Sequence, residues 1–291
     1  MDDRPQLLIT GGTGFIGSSL VKAVNSIYDI TNIGRNRNPI CSNIYWDLKT
    51  PLSKLPINRI KAVIHCAAIV NDKSYRNDKY IDVNVKSTLD LLDFCIENSI
   101  SKFIFLSSGG VYGFNESPLS ENQLCNPQEI YTLSKYFSEK LCDLYKNKLS
   151  ITVLRLFFPY GQGQNNRLIS NLFSNVISHK TITLNKSGSP KINPIYIDDV
   201  INIIKIAIEC NLPGTFNVCG DEIVSIEELC HKIALVCGEK NLNLSFKDTY
   251  VKSLIGNNLK LISSFNYKPK FNLSYGLTSY FNWMKCVEVL T

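Results

Sequence analysis

Short apolar runs alternate with amphipathic stretches along the first half of the chain. Residues 6–10 (QLLIT), 29–34 (DITNIG), 44–48 (IYWDL), 61–68 (KAVIHCAA), 102–108 (KFIFLSS) and 151–158 (ITVLRLFF) read as strands. The run at 61–68 is apolar nearly throughout, as a strand buried on both faces of a sheet should be. Between these runs, 15–27, 83–97 and 131–148 space their apolar residues as helices do. Strands alternating with helices predict βαβ units and an α/β fold, a doubly wound parallel sheet of Rossmann type. After Tyr160 the pattern loosens. Helices are expected at 167–180 and 198–210, strands at 192–197 (INPIYI) and 214–219 (GTFNVC), and further helices around turns from Ser225 onward. This predicts one domain over 1–165 and a smaller C-terminal part over 166–291, with 192–219 returning to the first sheet.

Composition narrows the classes. Of 291 residues, 44% are apolar and 19% charged, which suits a folded chain with a sizeable core. The net charge of +6 is scattered, with no basic block to track nucleic acid or an anionic membrane, and it is compatible with an anionic small molecule. The start, MDDRPQLLIT, lacks the regions of a signal peptide, and no uncharged apolar run reaches the ~18 residues of a membrane span. Ten cysteines show no CxxC or CxxH pairing, so the expectation is a reducing cytoplasm, no disulfide frame and no metal site.

The first strand runs into Thr10-Gly11-Gly12-Thr13-Gly14-Phe15-Ile16-Gly17 and then a helix. A pyrophosphate needs close backbone and the free amides of a helix N-terminus. Gly11 suits the tight turn, Gly14 the close approach and Gly17 the packing of helix on strand, so a dinucleotide is expected here. An NAD-binding unit usually ends its second strand with an acid for the ribose 2′-hydroxyl. Here the region reads Asn32-Ile33-Gly34-Arg35-Asn36-Arg37, with no acid. Arginine pairs well with a 2′-phosphate, so Arg35 favours NADP(H), with NAD(H) as the alternative.

Tyr131 and Lys135 lie four apart on one helix face. A phenol with a pKa of ~10 needs its anion stabilised before it can move protons, and a neighbouring ammonium does that. Ser107-Ser108-Gly109-Gly110-Val111-Tyr112-Gly113 ends a buried strand, where such sheets bind ligands, and a serine hydroxyl there can bond a reacting sugar oxygen.

TGGTGFIG, VIHCAA, SSGGVYG, YTLSK, RLFFPYGQGQ, PIYIDDV and TFNVCG occur in this order, and together the chain resembles the extended short-chain dehydrogenase/reductases of the NAD-dependent epimerase/dehydratase family, which act on nucleotide-activated sugars. The resemblance implies a dinucleotide-binding Rossmann domain over 1–165, a mainly substrate-binding region over 166–291, and a homodimer. It implies that Asp47 and Leu48 meet the adenine and that Ala67, Ala68 and Ile69 meet the pyrophosphate and ribose. Asn84 would order the site, Ser107 and Phe157 would lie against the nicotinamide, and Ser108, Tyr131 and Lys135 would be the catalytic triad. His65 is expected to be a satisfied strand residue, and Asp198 and Asp199 to start a helix. The chain also departs from the family. Dehydratases carry an Asp-Glu pair where Gly109-Gly110 stands, so dehydration is disfavoured. The usual Asn three residues after Arg155 is Phe158, and the usual Arg before the IYxDD segment is Ile192, so Arg167 and Lys191 are the substitutes considered for gripping the diphosphate.

These readings lead to an NADPH-dependent reductase of a nucleotide-linked 4-keto-6-deoxy sugar in bacterial-type surface-polysaccharide synthesis, with Tyr131 as general acid. The alternative is an NAD-dependent nucleotide-sugar 4-epimerase. A catalytically silent dinucleotide sensor is disfavoured, because it has no need of Ser108, Tyr131 and Lys135 together.

Overall fold

The apolar runs do become strands of one sheet. In the computed structural model, which describes residues 4–47, 52, 60–70 and 74–288, β1 (Gln6–Thr10), β2 (Asp29–Gly34), β3 (Ser42–Tyr45), β4 (Ile60–His65), β5 (Lys102–Ser108), β6 (Ser150–Leu156) and β11 (Gly214–Val218) form a Rossmann-type parallel sheet ordered β11-β6-β5-β4-β1-β2-β3. The order reverses between β1 and β4, which is the crevice where sheets of this kind receive ligands. The helices between these strands are α1 (Phe15–Val24), α2 (Asn77–Tyr80), α3 (Ser87–Glu97), α4 (Ile130–Tyr145) and α6 (Ile197–Glu209).

The chain divides into two compact units, neither contiguous in sequence. The first takes Met1–Val111, Leu124–Arg155 and Ile201–Phe216; the second takes Tyr112–Gln123, Leu156–Val200 and Asn217–Thr291. In the first, Leu8, Val63, Phe103 and Phe105 of the sheet pack with Leu91, Leu92 and Phe94 of α3, all at most 2% exposed. Each such side chain contributes about 1.5–3 kcal/mol by leaving water.

The second unit contains α5 (Leu168–Ile177), α7 (Ile226–Cys237), α8 (Leu259–Phe265) and α9 (Leu273–Glu288), with short strands β7 (Pro159–Tyr160), β8 (Ile182–Asn185), β9 (Lys191–Ile192), β10 (Ile195–Tyr196), β12 (Val224–Ser225) and β13 (Leu244–Lys247). The start of α7 is held by a capping box, in which Ser225 and Glu228 exchange side-chain-to-amide bonds, and its end by the left-handed Gly238. Among the described residues no helix is long and apolar enough to cross a membrane.

Four sequence readings need correction. The third strand is Ser42–Tyr45, not 44–48: after Trp46 N–H donates to Gly34 O the chain leaves the sheet, and Leu48 lies outside the described residues. The fourth strand stops at His65 because the backbone at Ala67 turns in against Gly11. The helix expected over 83–97 begins earlier, and Ile81–Lys86 is a π-helical segment between α2 and α3. The strand expected at 192–197 is two separate pairs, β9 antiparallel to β12 and β10 parallel to β7. Pro194 stands between them with no N–H to continue a ladder, and Ile197 already begins α6. Within 192–219 only β11 joins the large sheet.

Asp198 and Asp199 do occupy the first turn of α6. Asp199 also organises the C-terminal segment: fully buried, it accepts hydrogen bonds from Tyr267 Oη (2.5 Å), Lys270 N (2.8 Å) and Phe271 N (3.1 Å). Asp199→Ala leaves a phenol and two amides without their acceptor, so we expect a loss of about 4 kcal/mol in urea unfolding, with a smaller loss for Asp199→Asn. Equal losses for the two variants would mean that the carboxylate's bonds are not what holds this segment.

Candidate active site

The site is built outward from the end of β1. Gly11 has φ +67°, and a Cβ on it would lie 2.8 Å from Ala67 Cα; a Cβ on Gly17 would lie 2.1 Å from Gly11 O. These two positions require glycine, the first by conformation and contact and the second by contact alone. Gly14 N–H donates to Gly11 O at 2.9 Å and α1 begins at Phe15, so the first-turn amides of a ten-residue helix point back towards the loop without intrahelical acceptors. The loop therefore fits a pyrophosphate.

The ribose end is held by an asparagine network absent from the sequence reading. Gly12 N–H donates to Asn32 Oδ1 (2.9 Å) and Asn38 Nδ2 donates to Gly12 O (2.6 Å). Asn43 Oδ1 accepts from both Asn32 Nδ2 and Asn38 N. Gly34 has open space where a side chain would be, and Arg35 and Arg37 are exposed. Asp47 is half-buried just beyond β3.

His65 is fully buried, as expected, and its partners fix its tautomer. Thr10 Oγ1 accepts from Ala67 N (3.1 Å), so its own proton goes to His65 Nδ1 (2.7 Å). Ser87 and Thr88 spend their protons on the carbonyls of Val83 and Asn84, so His65 Nε2–H donates to them at 3.3 and 3.2 Å. Burial, with the Lys135 charge nearby, holds this imidazole well below its ordinary range and neutral. Asn84, in the π-helical segment, grips Ile69 through both its N–H and its carbonyl and donates to Ser134 Oγ of α4 at 2.9 Å. The widened turn is what aims its amide at two elements at once.

Ser108 ends β5 and is half-buried, and its Oγ accepts from Gly110 N–H at 3.1 Å. Across from it, α4 places Tyr131 in its first turn and Lys135 one turn on. Lys135 is 3% exposed, with its ammonium 4.5 Å from the centre of the Phe105 ring. Burial pushes it down to about 8, against the opposing pull of Cys66 and Glu139. Glu139, one further turn along α4, went unnoticed in the sequence. It accepts from Ser107 Oγ (2.5 Å) and from Arg155 Nε (3.0 Å) and Nη2 (2.6 Å), all buried. The i+4 spacing from Lys135 was its only sequence signal. Ser107 is thus committed to Glu139 through its hydroxyl.

Phe157 is buried in the second unit, its ring stacked 6.2 Å from that of Tyr112. Phe158 has φ +45°, rare for an aromatic residue. Arg167 precedes α5 and is exposed, and Lys191 is exposed on β9, its charge helping to hold the Glu228 carboxyl low after the bonds from Ser225. The two cations sit on different elements.

A family model for the NAD-dependent epimerase/dehydratase family matches residues 7–219. The chain belongs to that family. Its members are enzymes, oxidoreductases or epimerases of the extended short-chain dehydrogenase/reductase class that process nucleotide sugars. Among its relatives is a putative UDP-glucose 4-epimerase of Methanocaldococcus jannaschii, 30% identical over 96% of this chain and 98% of that one. Another is the dTDP-4-dehydro-6-deoxyglucose reductase of Escherichia coli, 26% identical over 98% and 100%. The crystal structure of UDP-glucuronic acid 4-epimerase from Bacillus cereus, in complex with UDP-glucuronic acid and NAD, matches with a TM-score of 0.86 and 28% identity, covering 97% of this chain and 99% of that one.

The buried lysine has a thermodynamic signature. An unfolded lysine keeps its proton to 10.5, whereas the folded Lys135 releases it near 8. The folded state therefore bears the full penalty of the buried charge below pH 8 and sheds it between 8 and 10.5. Lys135→Met should stabilise the dinucleotide-free protein by about 3 kcal/mol at pH 7. The gain should vanish by pH 10.5 in a pH series of thermal melts, and a gain independent of pH would refute the assignment.

Proposed function

We propose that this protein is a nucleotide-sugar 4-epimerase working with bound NAD. The reading is supported by Ser108 at the end of β5 and Tyr131 and Lys135 one turn apart on α4, in a chain similar over almost its whole length to a putative UDP-glucose 4-epimerase and to UDP-glucuronic acid 4-epimerase. When bound, the dinucleotide would supply the acceptor and donor of a hydride, and inversion would require the keto sugar to turn its other face to it between the two transfers. Tyr131 takes the proton of the sugar hydroxyl as the carbonyl forms and gives it back on the return. Ser108 donates to the same oxygen and stabilises its developing charge. Lys135 balances the charge on the tyrosine oxygen and reaches the ribose hydroxyls. Gly109 and Gly110 offer neither the acid nor the base that elimination of water requires, so the cycle ends at the exchanged hydroxyl.

A second reading keeps the same residues in an NADPH-dependent reduction of a nucleotide-linked 4-keto-6-deoxy sugar. It is favoured by the open space at Gly34, the exposed Arg35 beside it and the likeness to the E. coli reductase. Denaturation of the purified protein in urea at mildly alkaline pH, with chromatography of the released dinucleotide, separates the two. Retained NAD+ is the expected result; exchangeable NADPH, with Arg35→Asp shifting preference towards NADH, would replace the epimerase by the reductase.

Under either reading Tyr131→Phe should lower kcat about 100-fold or more with KM little changed. An unaltered kcat on UDP-glucose or UDP-glucuronic acid would remove Tyr131 from the chemistry.

A further inference from the structure

Gly110 lacks a side chain for a reason of volume. Its φ lies outside the left-handed region, so its backbone would accept any residue. A Cβ there, however, would meet Thr132 Cγ2 at 2.6 Å and Ser108 Oγ at 3.3 Å. Thr132 is buried, and its methyl cannot turn away without loss. Its hydroxyl accepts from Glu129 N (3.2 Å) and donates to Glu129 O (2.9 Å) at the start of α4, which fixes χ1.

We propose that Thr132 is a positioning residue for Ser108, acting through Gly110. The methyl packs on the bare Cα of Gly110 and holds that residue's N–H on Ser108 Oγ. With one lone pair so engaged, the hydroxyl keeps its own proton as a donor for the sugar oxygen. The same methyl fills the volume that any side chain at 110 would need, so Thr132 is also a specificity determinant: no acid or base can be seated at 110 while it is present. The role given to Ser108 rests on the proposed function; the steric coupling does not.

The test is a double-mutant cycle of Gly110→Ala and Thr132→Ala, since the remaining Thr132 Cβ would stand an ordinary 3.7 Å from the new methyl. Thermal melts read the steric coupling, and initial rates on UDP-glucose, UDP-glucuronic acid and UDP-N-acetylglucosamine read the effect on Ser108. Gly110→Ala alone should lower the melting temperature and reduce kcat about 10- to 100-fold at nearly constant KM. The double variant should regain both, with kcat within about threefold of Thr132→Ala. Thr132→Val, which keeps a branched side chain without the hydroxyl, should fail to rescue Gly110→Ala.

Additive melting temperatures would overturn the coupling. Recovery of stability without recovery of kcat, or an undiminished kcat in Gly110→Ala, would overturn the positioning of Ser108. If the wild-type protein turns over none of the three sugars, the proposed function falls and takes the role of Ser108 with it, while the coupling stands or falls on the melts.

Discussion

At the end of β1, backbone touches backbone, and the rest of the site is arranged around that contact. Gly11 admits Ala67 and Gly17 admits Gly11, which brings the ends of β1 and β4 and the start of α1 together with no side chain between them. From this contact a chain of buried hydrogen bonds runs through the first unit. Ala67 N donates to Thr10, Thr10 to His65, His65 to Thr88, and Thr88 to Asn84 O (2.7 Å), a carbonyl also within 3.0 Å of the Ser138 hydroxyl on α4, three residues past Lys135. Asn84 makes a second connection, from Ile69 to Ser134 on the same helix. The helix bearing Tyr131 and Lys135 is therefore tied to the glycine loop by polar groups that are satisfied only in one register. Buried networks of this kind specify a single arrangement because any slip leaves several donors without partners.

This also explains what could be read from sequence. The strands of the large sheet were legible because burial on both faces makes them apolar runs, and β5 and β2 were read to the residue. Gly11, Gly14 and Gly17 were legible as a motif because backbone approach demands glycine at fixed spacing. The short strands of the second unit were not. The two-residue strands β9 and β10 carry no periodicity, and β13 pairs with β8 although Phe246 and Lys247 are exposed. In the site, residues whose chemistry is intrinsic to their type stood out, as Tyr131 and Lys135 did. Residues whose role is set by long-range partners did not: Asn32, Asn38 and Asn43 read as loop polarity, and Glu139 as one more charge on an amphipathic helix. Thr132 and Gly110 are separated by more than twenty positions, and nothing in either residue announces that one occupies the space of the other.

The missed glutamate bears most on the chemistry. Lys135, Glu139 and Arg155 are all nearly excluded from water, and Glu139 is already engaged by the Arg155 guanidinium and the Ser107 hydroxyl. Two cations and one anion leave a positive surplus in a low-dielectric setting, and the ammonium, not the guanidinium, is the group able to give up its proton. That is why burial weighs on Lys135 and lowers it towards 8 although a carboxylate lies one helical turn away. A site so charged is better satisfied by an added negative charge than by none. A tyrosine oxygen that has surrendered its proton would supply it, as would an anionic dinucleotide seated against α1. The electrostatic strain on Lys135 thus has the sign that, under the proposed function, dinucleotide binding and proton transfer from Tyr131 would relieve. A neutral residue at 135 would remove that strain and, under the proposed function, the charge that lets Tyr131 give up its proton.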